Sequence, residues 1–204
     1  MSAYSEANGT PNHALQRTAA GRRGCKRGAS WPPSLSLVVD MAALMRLIRY
    51  QPEFQELLLA LHRSAIEGFT LGMSQQEDEA DLLAVEDVYL HGRGEFLLGF
   101  IGERLVAMGG FKRLSDDLAE LRRMRIARDL QGRGYGTLLL RELERRAFQS
   151  GVRTLCLETA RRRPLTLEFY RKHGYQETGQ SFYGAVETVQ FSKVLNEPVC
   201  EGAA

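Results

Sequence analysis

Cysteine is scarce in this chain: Cys25, Cys156 and Cys200 are far apart and odd in number. No disulfide framework and no metal-ligand spacing can be read from them, and a reducing compartment, the cytoplasm, is the default. His62, His91 and His173 show no ligand spacing either, so no metal site is expected. Long apolar runs are missing too. The longest, Leu35 to Met45, is interrupted by Ser36 and Asp40, which is short of a bilayer span, so no membrane partner is expected. A strong net charge is the third absence. The formal charge is +2, and residues 41–204 alone hold 22 basic and 23 acidic side chains. Bulk charge therefore gives no reason to expect a nucleic-acid partner.

What is present is the balance of a globular domain, 44% apolar and 25% charged residues. A length of 204 residues suffices for one substantial core and a tail. Residues 1–40 are the expected tail. They carry Arg17, Arg22, Arg23, Lys26 and Arg27 against Glu6 and Asp40, with no sustained apolar period. Two readings stand side by side: an Arg-rich targeting peptide, or a leader before a true start at Met41 or Met45. Trp31-Pro32-Pro33 fits the first poorly. A basic nucleic-acid arm is less favoured. The domain proper is expected over 41–204.

From Leu44 the pattern becomes regular. "LMRLIRY" predicts a strand, and Pro52 opens a helix to about Gly68. Ser74 and Glu77 form a capping-box pattern for an acidic helix reaching about Val85. Two strands joined at Gly102-Glu103 follow, then a strand in "DLAELRRMRIA". A helix is predicted from about Tyr135 to Ser150, a strand in "RTLCLETA", a helix from Pro164 to Gly174 and a last strand in "TVQFSKVL". Alternating strands and helices in this second half indicate an α/β sheet with parallel neighbours.

Between strand and helix stands "QGRGYG", Gln131 to Gly136. The first N–H groups of a helix lack intrahelical acceptors, and the helix dipole adds partial positive charge there. A glycine-rich turn at such a place suits a phosphate. Gly132, Gly134 and Gly136 would let the backbone approach it and adopt positive φ. No Gly-Lys-Ser/Thr follows, which excludes the nucleotide P-loop, and the spacing is not the dinucleotide fingerprint.

Two segments carry a more specific likeness. Gln131-Gly132-Arg133-Gly134-Tyr135-Gly136 resembles the Arg/Gln-x-x-Gly-x-Gly/Ala pyrophosphate loop of the GNAT superfamily of acyl-CoA-dependent N-acyltransferases. Phe169 to Tyr175, "FYRKHGY", resembles that family's later helix end. The likeness covers roughly residues 45–196. It implies a GNAT fold: a mixed, mostly antiparallel central sheet with helices on both faces and strands splayed at a cofactor cleft. It also implies acetyl-CoA as cosubstrate and a small-molecule amine as acceptor, and it allows a homodimer.

Acetyl transfer to an amine requires a deprotonated nucleophile, a polarised carbonyl, an acid for the thiolate and alignment of the two reactants. The resemblance assigns Tyr170 to the thiolate and Glu120 to the base. It gives the cofactor Met124 and Ile126 through their backbones, together with Gln131, Gly132, Arg133, Gly134, Tyr135, Gly136, Thr137 and Arg163. Simple strand alternation puts Glu120 on one face with Arg122, Met124 and Ile126. A salt bridge to a neighbouring arginine is an equal reading of Glu120, and a packing role an alternative for Tyr170. Arg163 and Thr166 depart from the usual Asn/Gln and Ala. Arg128 and Arg133 flank the loop and suit phosphate better than the run Arg161 to Arg163. Cys156 reads as core. The acidic helix is either a solvated face or part of the acceptor site. The remaining alternatives are a non-catalytic acyl-CoA sensor and a protein N-acetyltransferase.

Overall fold

Residues 95–113 set the centre of the sheet, because their apolar positions are nearly continuous and both faces must be covered. The computed structural model describes residues 45–66 and 78–196. The expected leader, Gly68, Ser74 and Glu77 lie outside the described residues. The strands are β1 (Arg46–Arg49), β2 (Glu95–Ile101), β3 (Arg104–Arg113), β4 (Leu118–Ile126), β5 (Thr154–Ala160), β6 (Gln176–Tyr183) and β7 (Val186–Val194). They form one seven-stranded sheet in the order β1-β2-β3-β4-β5-β7-β6.

Only β4 and β5 run parallel; every other neighbouring pair is antiparallel. Parallel pairing is thus narrower than the helix–strand alternation suggested. The cause is β6, which "QETGQSFY" did not announce as a strand: it is mostly exposed and lacks apolar alternation. It pairs with β7 as a hairpin and sits at the sheet edge.

Helices cover both faces. Helix α1 (Gln55–Ile66) follows a 3-10 turn over Pro52–Phe54, where proline sits at a first-turn position and gives up no needed N–H. Helix α2 (Tyr135–Gln149) buries Tyr135, Leu139, Leu140, Leu143 and Ala147, positions three or four apart that form one stripe. Leu139 and Leu143 close over Gly109 of β3. On the opposite face Tyr89 packs edge-on against Phe96, and Phe54 packs at a tilt against Phe100. Helix α3 (Pro164–Lys172) ends at His173, with Gly174 beyond it at a φ of +83°.

The acidic segment is not a regular helix to Val85. Asp78 and Glu79 are helical, turns occupy residues 80–84, and Glu86–Leu90 forms a π-helical turn. Side-chain demands explain the irregularity. Asp78 and Asp81 both turn toward Arg123, and Tyr89 donates to Asp81 from the far end.

Within β4 the alternation breaks. Its register with β3 passes from Gly110–Arg122 to Met108–Arg125, so Arg123 and Met124 together oppose the single Gly109. This is a β-bulge, and Arg123 takes the left-handed conformation at φ +57°. The extra residue lays Met124 over Gly109, where a Cβ would come within 2.7 Å of its sulfur. The bulge corrects the face assignment made from alternation. Glu120 and Arg122 share a face with Arg125, whereas Met124 and Ile126 join Leu121 on the α2 side.

Candidate active site

Lateral pairing of β4 with β5 covers only Leu118–Thr154, Ala119–Leu155 and Glu120–Cys156. Both strands continue, to Ile126 and Ala160, but they no longer pair. The gap holds a cavity of about 230 Å³ between Arg122–Arg125 on one wall and Leu157–Ala160 on the other. Arg163, Thr166 and Tyr170 of the α3 region also line it, with Asp78, Tyr183 and Thr188.

The glycine loop lies just past the end of β4. Gly132 (φ +75°) and Gly134 (φ +88°) adopt conformations strained for any other residue. Gly136 does not need positive φ. A Cβ there would meet the Phe169 ring at 3.4 Å, an ordinary contact, so an alanine would fit where α3 packs on α2. Gly134 is the N-cap of α2 and supplies no side-chain cap, and the first turn contains no acidic residue. The positive end of the helix dipole is therefore not offset from within the helix.

The other expected cofactor residues divide. Gln131 donates from Nε2 to the Ile126 carbonyl at 3.1 Å and ties the loop to β4. Arg133 and Arg128 are exposed beside the loop. The Tyr135 side chain is buried in the core, which leaves its main chain to the loop. Thr137 Oγ1 lies 3.0 Å from His173 Nε2, and His173 Nδ1 lies 2.7 Å from the Phe169 carbonyl. Because that carbonyl only accepts, Nδ1 carries a proton, and in the neutral ring Nε2 accepts from Thr137. Thr137 thus links the start of α2 to the end of α3. Met124 is reached through its carbonyl, which accepts from Arg125 Nη1 at 3.0 Å.

Tyr170 is buried against Phe169, Tyr175 and Phe191, yet it lines the cleft. Among the described residues its hydroxyl makes no hydrogen bond. Burial pushes its pKa up to about 12, while Arg125 and Arg163 pull the other way. Arg163 caps α3, and its own pKa is lowered by burial and by the neighbouring Arg162 and Arg128.

Glu120 lines the cleft but is already paired, 3.2 Å from Lys112 and 3.6 Å from Arg122. The salt-bridge reading of this residue is therefore what the geometry contains. Sequence reasoning passed over a second carboxylate, Glu158 on β5. It is exposed to the cleft, opposite the buried Leu155 and Leu157, and accepts a hydrogen bond from Thr188. Period-two alternation in "LCLE" was the signal that could have found it.

From the cleft wall a polar cluster that no motif announced runs inward. Arg123 donates to Asp81 from Nε (3.0 Å) and Nη2 (2.7 Å) and to Asp78 from Nη1 (3.1 Å). His62, wholly buried, lies 2.9 Å from Asp78 through Nε2, while its Nδ1 has no partner. Burial, then the charge of Arg125, lowers the His62 pKa, so the ring is neutral and donates from Nε2. Among the described residues no group of His, Cys, Asp and Glu could hold a metal, and no helix is long and apolar enough to cross a membrane.

Comparison with known proteins agrees with this geometry. No curated protein matches the chain significantly. Solved structures do. An acetyltransferase from Streptococcus agalactiae is 17% identical, with 74% of this chain and 99% of that one covered at a TM-score of 0.67. A GNAT-family acetyltransferase from Staphylococcus aureus is 19% identical over the same shares, also at 0.67. The PaiA N-acetyltransferase of Thermoplasma acidophilum, solved in complex with coenzyme A, is 20% identical over 72% of this chain and 97% of its own, at 0.59. At these identities the likeness shows the fold. A family profile described as "Acetyltransferase (GNAT) family" matches residues 56–175, more than half of the chain. With its splayed strands and glycine-capped helix, the chain belongs to the GNAT family of acetyltransferases.

Proposed function

We propose that the protein moves an acetyl group from acetyl-CoA to the primary amine of a small molecule by direct attack. The observation that carries this reading is the coincidence of three features at one seam. β4 and β5 part, the loop that follows β4 leads into the uncapped start of α2, and Tyr170 lines the gap. The loop formed by Gln131 to Gly136 would hold the pyrophosphate, with Arg128 and Arg133 beside it. The cavity of about 230 Å³ leaves room for a small acceptor.

Each residue then has a task. An alkyl ammonium must lose a proton before it can attack. Glu158 suits that step better than Glu120, because no cation neutralises it in the described structure while Lys112 and Arg122 hold Glu120. The amine nitrogen adds to the thioester carbonyl, the C–S bond breaks, and Tyr170 donates a hydrogen bond to the departing sulfur. No covalent enzyme intermediate is required.

The test is calorimetric titration of the full chain with acetyl-CoA, with desulfo-CoA and ADP as controls, followed by an amine panel read by free-thiol release and product mass. Saturable binding with acetylated amine supports the proposal. Binding without turnover on any amine points to an acyl-CoA sensor, and absence of binding removes the proposal. Gly134→Val should weaken acetyl-CoA binding by about tenfold or more, since a β-branched residue at φ +88° costs roughly 1–2 kcal/mol in strain. Gly136→Ala, at a position with ordinary φ, should bind nearly as well as the parent.

A further inference from the structure

We infer that the acceptor carries a carboxylate as well as its amine, and that Arg125 receives this carboxylate. The inference rests on the acetyl-transfer reading and names the substrate class for it. Three arginines of β4 line the cleft: Arg122, Arg123 and Arg125. Arg123 is matched by Asp78 and Asp81, and Arg122 stands 3.5 Å from Asp81 and 3.6 Å from Glu120. Arg125 has no carboxylate within ion-pair distance among the described residues. Its Nη1 reaches only the preceding carbonyl, and its Nε is sealed from solvent without an acceptor.

A sheltered guanidinium without a counter-charge is costly for a fold to keep. Burial, then Arg123 and Arg163, push its pKa down to about 10, so it remains a cation at neutral pH. The cofactor's phosphates do not account for it. The glycine loop begins α2, on the Met124 and Ile126 side of the sheet, whereas Arg125 lies on the opposite face with Glu120 and Met108.

The anion is further defined by its surroundings. Glu158, Glu120 and Asp78 share the cleft, so a dianion such as a phosphate would meet about twice the repulsion that a single carboxylate does. A carboxylate also matches the planar fork of a guanidinium in two-point contact. With Glu158 on the facing strand to draw an ammonium, Arg125 and Glu158 offer opposite charges from the two walls of a small cleft. A zwitterionic amine, amino-acid-like in size, complements both.

The experiment compares amino acids with their own carboxamides, which keep the amine and lose the anion. The full chain is followed by thermal shift with and without coenzyme A, and by kcat/KM for acetylation. Expected is at least one amino acid used about 10- to 100-fold better than its carboxamide. Arg125→Gln should bring that ratio near one, and Arg125→Lys should restore part of it. Equal use of acid and amide, a ratio unchanged in Arg125→Gln, or acetylation confined to amines that lack a carboxylate would overturn the inference. A chain that binds no acetyl-CoA overturns the acetyl-transfer reading instead. The thermal comparison without coenzyme A then still decides: an acid-specific shift lost in Arg125→Gln supports the anion site, and no such shift overturns it.

Discussion

Tyr170→Phe should lower kcat by about 10²- to 10³-fold while the acetyl-CoA dissociation constant and the melting temperature stay near those of the parent. The size follows from the usual worth of a positioned proton donor. The selectivity follows from the contacts. The Tyr170 ring is held by Phe169, Tyr175 and Phe191, and phenylalanine keeps that packing. Only the hydroxyl is lost, and among the described residues it has no hydrogen bond to forfeit. Its pKa of about 12 keeps the phenol protonated through the working range, so an alkaline fall in rate below that pH should not report this group. As sulfur departs with negative charge, Arg125 and Arg163 favour a shift of negative charge onto the phenol oxygen. Turnover within threefold of the parent would reduce Tyr170 to a packing residue. Single-turnover acetylation with calorimetry on the same preparations separates the outcomes.

The second large effect concerns stability. Arg123→Ala should destabilise the fold by about 3–5 kcal/mol, because in a sheltered place it takes from Asp78 its cation and from Asp81 the nearer of two, Arg122 remaining at 3.5 Å. Urea unfolding would measure it, and a fall in melting temperature of roughly 6–20 °C would accompany it. Arg123→Gly loses the same ion pairs but relieves the φ of +57°, so it should be about 1 kcal/mol less damaging than alanine. Equal losses would mean that the bulge conformation carries no strain.

The pH dependence has a definite sign. Burial opposes charge on Asp78 and Asp81, yet hydrogen bonds from His62 to Asp78 and from Arg123 to both leave their pKa values below the ordinary 3.8. Their contribution is present above that value and is lost as pH falls through the lower folded value. His62 acts earlier. Its folded pKa lies below 6.5, so the unfolded chain takes up the proton first and stability declines as pH drops through 6.5. In Arg123→Ala the carboxylate contribution should disappear at higher pH than in the parent.

The glycine loop and the FYRKHGY helix end were legible because they are local: a few residues with fixed spacing make each feature. The β4 bulge was not. A one-residue insertion in a strand leaves no compositional mark when arginines occupy both faces, and reading Arg122 to Ile126 as alternating put Met124 on the wrong side. Strand β6 escaped because an edge strand with little buried surface has no need of apolar residues. The pairing of Glu120 with Lys112 depends on register between two strands, which no spacing within one strand reveals. Arg125 and Glu158 are informative for the same reason: their meaning lies in what faces them across the gap.

The seam between β4 and β5 is also where the sheet is held together least. Among the described residues, three register pairs join an antiparallel leaf of four strands to one of three. A molecule lying in the open part of the seam would act as a clasp, adding lateral bonds where the protein supplies none. Its binding free energy would then appear as cohesion of the whole sheet, in proportion to the logarithm of its concentration above Kd. The protein's resistance to unfolding would in that way track the supply of the substrate it uses.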